Sequence, residues 1–458
     1  MAKYLLAEKK FEKIQIFEQR PVAGGVWNYT SADREDGFVV PRIAPTTAPD
    51  QVVYHANSDK PEIVSPVYDM LETNIPHTLM NYTETPFQEG TSLFPTHQVV
   101  LEYLQSYAED LAPYASYSTQ VQHLCKNKSG DRPCWKIETL DLVTKETKTH
   151  EFDAVAVASG HYNDPFIPDI PGIKDFNKAN PGVISHSKYY RRPDAYQDKK
   201  VIVVGNSASG IDLSVQLSAT AQLPVFISEK EKATPGAVVQ ESKPWARHVP
   251  EIAVRFANGH IETDMDAVLF CTGYHYSFPF ARDVRPPVVV DVSHAAHLWE
   301  HMLYTADPTV AFLAVPQRIV PFPVAEAQSA LIARIWAGRL APPSAAEMTT
   351  WLEEQVASKG AGKALHNLMF PKDVEYINRL HDRSVTAGRV DGGDNDGQGK
   401  LPPYWGGEKR WTRERFPAIK LASRALGKER HKVRSLSELG FDYEEWKKRT
   451  AGVAEELI

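Results

Sequence analysis

Residues 201–217, Val-Ile-Val-Val-Gly-Asn-Ser-Ala-Ser-Gly-Ile-Asp-Leu-Ser-Val-Gln-Leu, constrain the fold of this 458-residue chain more than any other stretch. Residues 201–204 form a short apolar run of the kind a parallel strand shows when both its faces are covered. The run enters a Gly205-x-x-x-x-Gly210 turn and then an amphipathic helical pattern. Glycine lets such a turn close tightly, and the helix behind it offers unbonded N–H groups and a positive dipole to a pyrophosphate. Gly205, Asn206, Ser207, Ala208, Ser209 and Gly210 are therefore candidate dinucleotide-binding residues, with Ser207 standing where a middle glycine is usual. In a simple dehydrogenase this loop lies near the start of the chain. Here a whole domain's length precedes it.

That preceding stretch reads as a second nucleotide-binding half. Residues 2–8 have the look of the end of a helix, and residues 13–18 of a strand ending in an acid, Glu18. In a Rossmann unit the second strand ends in an Asp or Glu that binds the ribose, about 20 residues after the glycine loop. Counting back from Glu18 places those glycines ahead of Met1. The expectation is a chain that begins inside the first crossover helix, with that half's first strand and phosphate loop absent. Taken alone, residues 1–18 fit any helix–strand pair. A turn-rich loop then follows at residues 20–27, a helical pattern at 96–107, and alternating strands at 120–124 and 135–140. A strand at 152–158 runs into Ser159-Gly160-His161, and residues 266–274 repeat the same order of acid, apolar strand and small-Gly-aromatic. The echo suggests one such domain interrupted by another. Proline-rich residues 165–172 are the expected outgoing linker and 274–280 the return. The expected division is 1–164, an inserted domain 165–273, and 274–458, with helix over 343–385 and a mobile surface loop at 391–401.

Composition narrows the function class. Hydrophobic content of 42% and charged content of 24% are those of an ordinary globular chain long enough for two or three cores. A net charge of −7 argues against a broad nucleic-acid surface. Three cysteines, Cys125, Cys134 and Cys271, make no disulfide framework and suit a reducing, cytoplasmic setting. No apolar run reaches the about 18 residues of a membrane span, and no signal peptide is read at the N-terminus. His294-x-x-His297-x-x-x-His301 lacks the carboxylate ligand or helical glutamate base of a zinc site, so no metal is expected. The acids of residues 391–401 fit no complete calcium loop.

Several motifs then combine: Phe17-Glu-Gln-Arg-Pro with Gly24-Gly-Val-Trp27, Leu71-Glu-Thr-Asn74-Ile-Pro76, Phe94-Pro-Thr-His97, and Ser159-Gly-His-Tyr162. They continue through Gly182-Val-Ile-Ser-His186-Ser-Lys-Tyr-Tyr190, the 205–210 loop, Cys271-Thr-Gly-Tyr274 and Pro321-Phe-Pro-Val-Ala-Glu-Ala-Gln328. In order and spacing the set resembles the flavin-containing monooxygenase family over nearly the whole chain. The resemblance implies an α/β fold with two Rossmann-like three-layer dinucleotide-binding domains, the NADPH domain inserted into the FAD domain. It implies that NADPH reduces the flavin, and that O₂ then forms a C4a-hydroperoxyflavin. That species would oxygenate a soft nitrogen or sulfur nucleophile of a small molecule. The cofactor carries the hard chemistry, so no catalytic triad is required.

Residue by residue, Asn74 matches the family's asparagine beside the flavin ring, whose amide would serve the hydroperoxide or the nicotinamide. Its plain reading is an Asx-turn before Pro76. Glu18, Arg20, Gly25, Val26, Trp27, Thr272, Gly273 and Gln328 match cofactor-contacting positions, Glu18 through the ribose hydroxyls. His186 and Tyr190 fit the fingerprint Phe-x-Gly-x-x-x-His-x-x-x-Tyr, in which Asn180 replaces the Phe. Tyr190 favours the N/S-oxygenating branch over Baeyer–Villiger relatives. Glu229 could favour NADH, whereas Ser228, Lys230 and Lys232 could hold a 2′-phosphate; the resemblance tips the choice to NADPH. Two other readings stay open. A pyridine-nucleotide disulfide reductase is disfavoured by the lack of a redox cysteine pair. A catalytically inactive or incomplete nucleotide-binding remnant is favoured by the missing FAD loop. The expected partners are an amine or sulfur substrate and O₂, with no nucleic acid and no membrane span, and a homodimer as a candidate assembly.

Overall fold

The continuous apolar run at 201–204 needs cover on both sides, and the architecture supplies it. A computed structural model describes residues 1–33, 37–54, 61–127, 132–228, 246–249, 264–291 and 294–455. The chain divides into two compact units, one comprising 1–25, 72–160 and 280–458, the other 26–71 and 161–279.

The second unit is built on a five-stranded parallel sheet in the order Ala246–Val249, Gln222–Ser228, Lys200–Val204, Ala267–Phe270, Ile184–His186. The central strand pairs Val203 with Ile227 on one side and with Leu269 on the other. Strand periodicity sorts its side chains onto two cores. Ile202, Val204, Phe226, Val268 and Phe270 pack with Ile167, Ile173 and Val40. Val201, Val203, Val225 and Leu269 pack with Leu213 and Leu217 of the helix Ala208–Leu217, and with Tyr68 and Tyr190. Leu213 and Leu217, four apart and fully buried, each contribute roughly 1.5–3 kcal/mol of hydrophobic stabilisation. Arg191 stitches the 26–71 segment into this unit. Its guanidinium donates to the carbonyls of Ala32, Ser65, Val67, Lys188 and Tyr190.

The first unit begins with the helix Ala2–Glu8 and the short strand Ile16–Phe17, which lies parallel to Ala115–Ser116. Alternation at 119–152 gives an antiparallel meander of Thr119–Asn127, Cys134–Asp141 and Thr147–Phe152. The expected strand at 152–158 breaks at Asp153; its second part, Val155–Val157, joins another sheet, parallel to Val310–Phe312. Pro321–Trp336 is a helix buried nearly all round, and its Ala330 and Ala333 pack on Tyr4. The helical stretch expected at 343–385 is two helices, Ala345–Lys359 and Lys372–Val385. The first starts on a Ser344–Glu347 capping box and stops at Gly360. The 391–401 segment lies at the surface over residues 391–396, as its acids and glycines suggest, but its end is tied down. Arg334 donates to the carbonyls of Gln398 and Lys400, and Tyr4 to that of Leu401. Among the described residues no helix is long and apolar enough to cross a membrane.

Candidate functional site

The strand Lys200–Val204 delivers the chain to Gly205, whose φ of +100° lies in the region glycine tolerates. Its N–H donates to the Ser228 carbonyl at 2.8 Å. A Cβ at Gly205 would stand 2.6 Å from the Cys271 carbonyl oxygen, and one at Gly210 only 1.8 Å from the Gly205 carbonyl oxygen. Both glycines are thus demanded by close backbone approach. Ser207, by contrast, is exposed at the N-cap of Ala208–Leu217, which is why the usual middle glycine is dispensable. Ser207 makes no side-chain cap, and the first intrahelical bond runs from Ile211 N–H to the Ser207 carbonyl. The leading amides and the helix dipole, about half a positive charge, face outward and fit a pyrophosphate. Glu229, Lys230 and Lys232 lie outside the described residues.

The glycine-loop helix is held from below by a buried polar relay. Tyr68 donates to Asp212 at 2.5 Å, Gln216 donates to the same carboxylate at 3.2 Å, and Tyr190 donates to Gln216 at 3.0 Å. Burial pushes both phenols well above their ordinary value, so they act as fixed donors. Tyr190 therefore reaches the nucleotide loop through its helix. His186 is fully buried: its Nδ1 accepts from the Lys188 N–H, which leaves the proton on Nε2 to donate to the Gly273 carbonyl at 3.0 Å. Burial lowers it to about 3, against the opposing bond to Gly273, so it is a neutral tie and not a proton carrier. Thr272 is bound in turn to the Phe166 carbonyl at 2.5 Å. Asn180, in the place of the fingerprint Phe, caps the short helix Ile173–Ala179 with its amide on the Phe176 carbonyl.

The other candidates fall mostly in the first unit. Glu18 follows the strand Ile16–Phe17 and accepts the Arg20 N–H at 2.8 Å, closing a tight turn. The positive-φ pair Gly24 and Gly25 leads into a single 3-10 turn, Gly25–Trp27. Within that turn the Val26 carbonyl accepts from the Ser65 hydroxyl. Asn74 is half-buried, and among the described residues its side-chain amide makes no hydrogen bond. The Asx-turn that would explain it away is not formed. Gln328 is wholly buried and spends its amide within the protein: Oε1 accepts Ala314 N–H and Nε2 donates to the Tyr376 hydroxyl. It thereby sets the backbone at Ala314, a non-glycine residue with φ of +54°.

The histidine run holds no metal cluster among the described residues. His301 instead shares a 2.9 Å bond with His366, whose Nε2 donates to the Ala295 carbonyl. All three cysteines are free thiols. Sequence reasoning missed Asp212, Tyr68 and the Cys271 carbonyl as builders of the nucleotide loop. An acid two residues after Gly210, on the helix's inward side, is the one local signal for the relay.

A family model for flavin-binding monooxygenase-like proteins matches residues 53–245 and 234–388. The chain belongs to this family. A thiol-specific monooxygenase of Saccharomyces cerevisiae is 32% identical over 396 residues, 81% of this chain and 79% of that protein. The flavin-containing monooxygenase FMO GS-OX-like 2 of Arabidopsis thaliana is 32% identical over the same shares. The solved structure of an S-allyl-L-cysteine S-oxygenase from Allium sativum superposes with a TM-score of 0.72 at 24% identity, covering 99% of this chain and 95% of that one. A Tmm from Pelagibacter superposes with a TM-score of 0.67 at 19% identity over 92% of this chain. These fix the fold as that of the flavin monooxygenases with two dinucleotide-binding domains. The family's cofactors are FAD and NADPH, and the uncapped helix behind the glycine turn fits a nucleotide pyrophosphate.

Proposed function

We propose that this flavin monooxygenase oxygenates a soft nucleophile of a small molecule, sulfur first and amine nitrogen second, with NADPH as the reductant. The observation that carries the sulfur preference is the 32% identity to a thiol-specific monooxygenase across 81% of the chain. FAD, reduced by NADPH, would supply the activated oxygen from O₂. Everything else falls to the chain's own residues. The amides of residues 205–210 bind the NADPH pyrophosphate, and Ser228 at the end of its strand lies on the ribose side. Glu18 accepts from the ribose hydroxyls of FAD, with Arg20 and the 24–27 turn shaping the loop around that cofactor. Thr272 and Gly273, tied by His186, hold the strand end against the same nucleotide loop. Asn74 presents its unspent amide to the reacting oxygen and keeps its proton in place.

Supplying FAD, NADPH and air to the purified chain with a panel of small thiols, thioethers and tertiary amines tests this reading. Sulfur compounds are expected to stimulate NADPH oxidation, thioethers ending as sulfoxide and thiols as disulfide through a sulfenic acid that condenses with a second thiol, with amines such as N,N-dimethylaniline slower. Oxygenation of amines alone would overturn the sulfur assignment. Asn74→Ala is expected to divert most NADPH consumption to hydrogen peroxide; unchanged coupling would remove Asn74 from the reaction.

A further inference from the structure

The residue before Asn74 is held with unusual completeness. Thr73 N–H donates to the Pro95 carbonyl at 3.0 Å, its hydroxyl donates to the Ile75 carbonyl at 2.9 Å, and its own carbonyl accepts from Lys420 Nζ at 2.8 Å. Lys420 comes from the helix Gly407–Ala425, is 7% exposed, and lies with its ammonium 4.2 Å above the Phe94 ring. Glu72, on the other side of Thr73, stands 3.5 Å from the same ammonium. Arg430 grips both Glu72 carboxylate oxygens at 2.8–3.1 Å, and His431 lies 3.4 Å away. Burial pushes the Glu72 carboxyl up, but the Arg430 hydrogen bonds and the charges of Lys420, Arg430 and His431 outweigh it and hold the group ionised.

Burying an ammonium is costly unless it is compensated, and an apolar side chain would fill the same space without that cost. Here the compensation is directed at one backbone carbonyl, that of the residue preceding Asn74. The Glu72 carboxylate is satisfied by Arg430, so it can hold the ammonium without drawing it off Thr73. Clamped at N–H, C=O and hydroxyl, Thr73 gives residue 74 a fixed starting direction, while among the described residues the Asn74 amide has no hydrogen-bond partner to orient it.

We propose that Lys420, seated by Glu72 and Arg430, is a positioning residue that fixes the Asn74 amide by clamping the Thr73 carbonyl. The proposal rests on the role given to Asn74 under Proposed function. It places a positioning contact in the C-terminal helical region, far along the chain from the loop it serves. Its effect is on coupling: a loosened residue 74 lets the reacting oxygen leave as peroxide before transfer.

The test uses the full chain supplied with FAD, comparing Lys420→Met, Lys420→Arg, Glu72→Gln, Asn74→Ala and the Lys420→Met/Asn74→Ala pair. Two quantities are read: peroxide released per NADPH oxidised, and hydrogen exchange at the amides of residues 73–75, which needs no turnover. Lys420→Met is expected to speed exchange roughly 10- to 100-fold, the factor expected from losing one charge-assisted hydrogen bond. It should also raise peroxide yield toward that of Asn74→Ala, and add nothing in the Asn74→Ala background. Lys420→Arg, which keeps a donor and a charge, should restore most of the coupling. Should Lys420→Met not fold, Glu72→Gln is expected to give the same two changes in smaller measure. Wild-type exchange and coupling in whichever of these variants folds would overturn the clamp, with the Asn74 role intact if Asn74→Ala still uncouples. If Asn74→Ala does not uncouple, the role of Asn74 fails, and unchanged exchange in Lys420→Met then overturns the clamp separately.

Discussion

Replacing Gly210 with alanine tests the nucleotide loop through a single added methyl. The new Cβ would sit 1.8 Å from the Gly205 carbonyl oxygen and 2.8 Å from its carbon, so to reach even 3.0–3.4 Å the two segments must separate by 1.2–1.6 Å (3.0 − 1.8 and 3.4 − 1.8). The loop cannot retreat, because Gly205 is walled by the Cys271 carbonyl and tied by its N–H to Ser228. The helix must move instead, against the packing of Leu213 and Leu217, both fully buried. Overpacking of this kind costs about 1–3 kcal/mol of stability. A shift above an ångström also takes the leading amides out of hydrogen-bond reach of a phosphate, and each charge-assisted bond lost costs about 1.5–3 kcal/mol. Affinity for NADPH should therefore fall roughly 10- to 100-fold, at about 1.4 kcal/mol per factor of ten. Calorimetric titration of NADPH, with Tm recorded in parallel, measures both terms. A lowered Tm with unchanged NADPH affinity would refute the assignment of this loop to the nucleotide; an unchanged Tm would refute the steric reasoning itself.

Other consequences concern buried charge and protonation. Arg413 Nε meets Asp373 at 2.6 Å with both side chains buried, so Arg413→Met leaves a carboxylate without its partner. A loss of about 3–5 kcal/mol in denaturant unfolding is expected, largely recovered by Arg413→Met/Asp373→Asn, and a loss below about 1 kcal/mol would contradict it. Burial lowers His366 from 6.5 to about 4 and His301 well below 6.5, so the folded chain keeps the pair neutral. As pH falls below about 6.5 the unfolded chain takes up these protons and the folded one does not. Stabilisation is therefore complete above that pH and is lost progressively down to about 4. Tm should drop across that window and drop less in His366→Gln; a flat acid limb would show that the pair titrates normally.

What was legible in the sequence was local. The strand, turn and helix at 201–217 announce themselves because apolar run, glycines and amphipathic period all lie within seventeen consecutive residues. Two strands of the meander, at 120–124 and 135–140, follow from alternation for the same reason, whereas the third, Thr147–Phe152, does not. For 391–401 the acids and glycines report the solvent exposure of residues 391–396, whereas the anchoring of its end comes from Arg334 and Tyr4 binding the carbonyls of residues 398, 400 and 401. The attachment of 26–71 to the second unit was invisible, since Arg191 holds it through backbone carbonyls that carry no side-chain signature. Lys420 was invisible too, lying 347 positions from the carbonyl it binds. Glycine roles were legible in kind but not in degree: only packing shows that Gly210 tolerates no methyl while position 207 carries a serine at the surface.

The most direct measurement supplies the purified chain with FAD, NADPH, a small thioether or tertiary amine and heavy-isotope O₂, and follows the label by mass spectrometry. One labelled oxygen atom per product molecule, formed in step with NADPH consumed, is the predicted result. Label recovered solely as peroxide and water across thioethers and tertiary amines would contradict a monooxygenase of this kind.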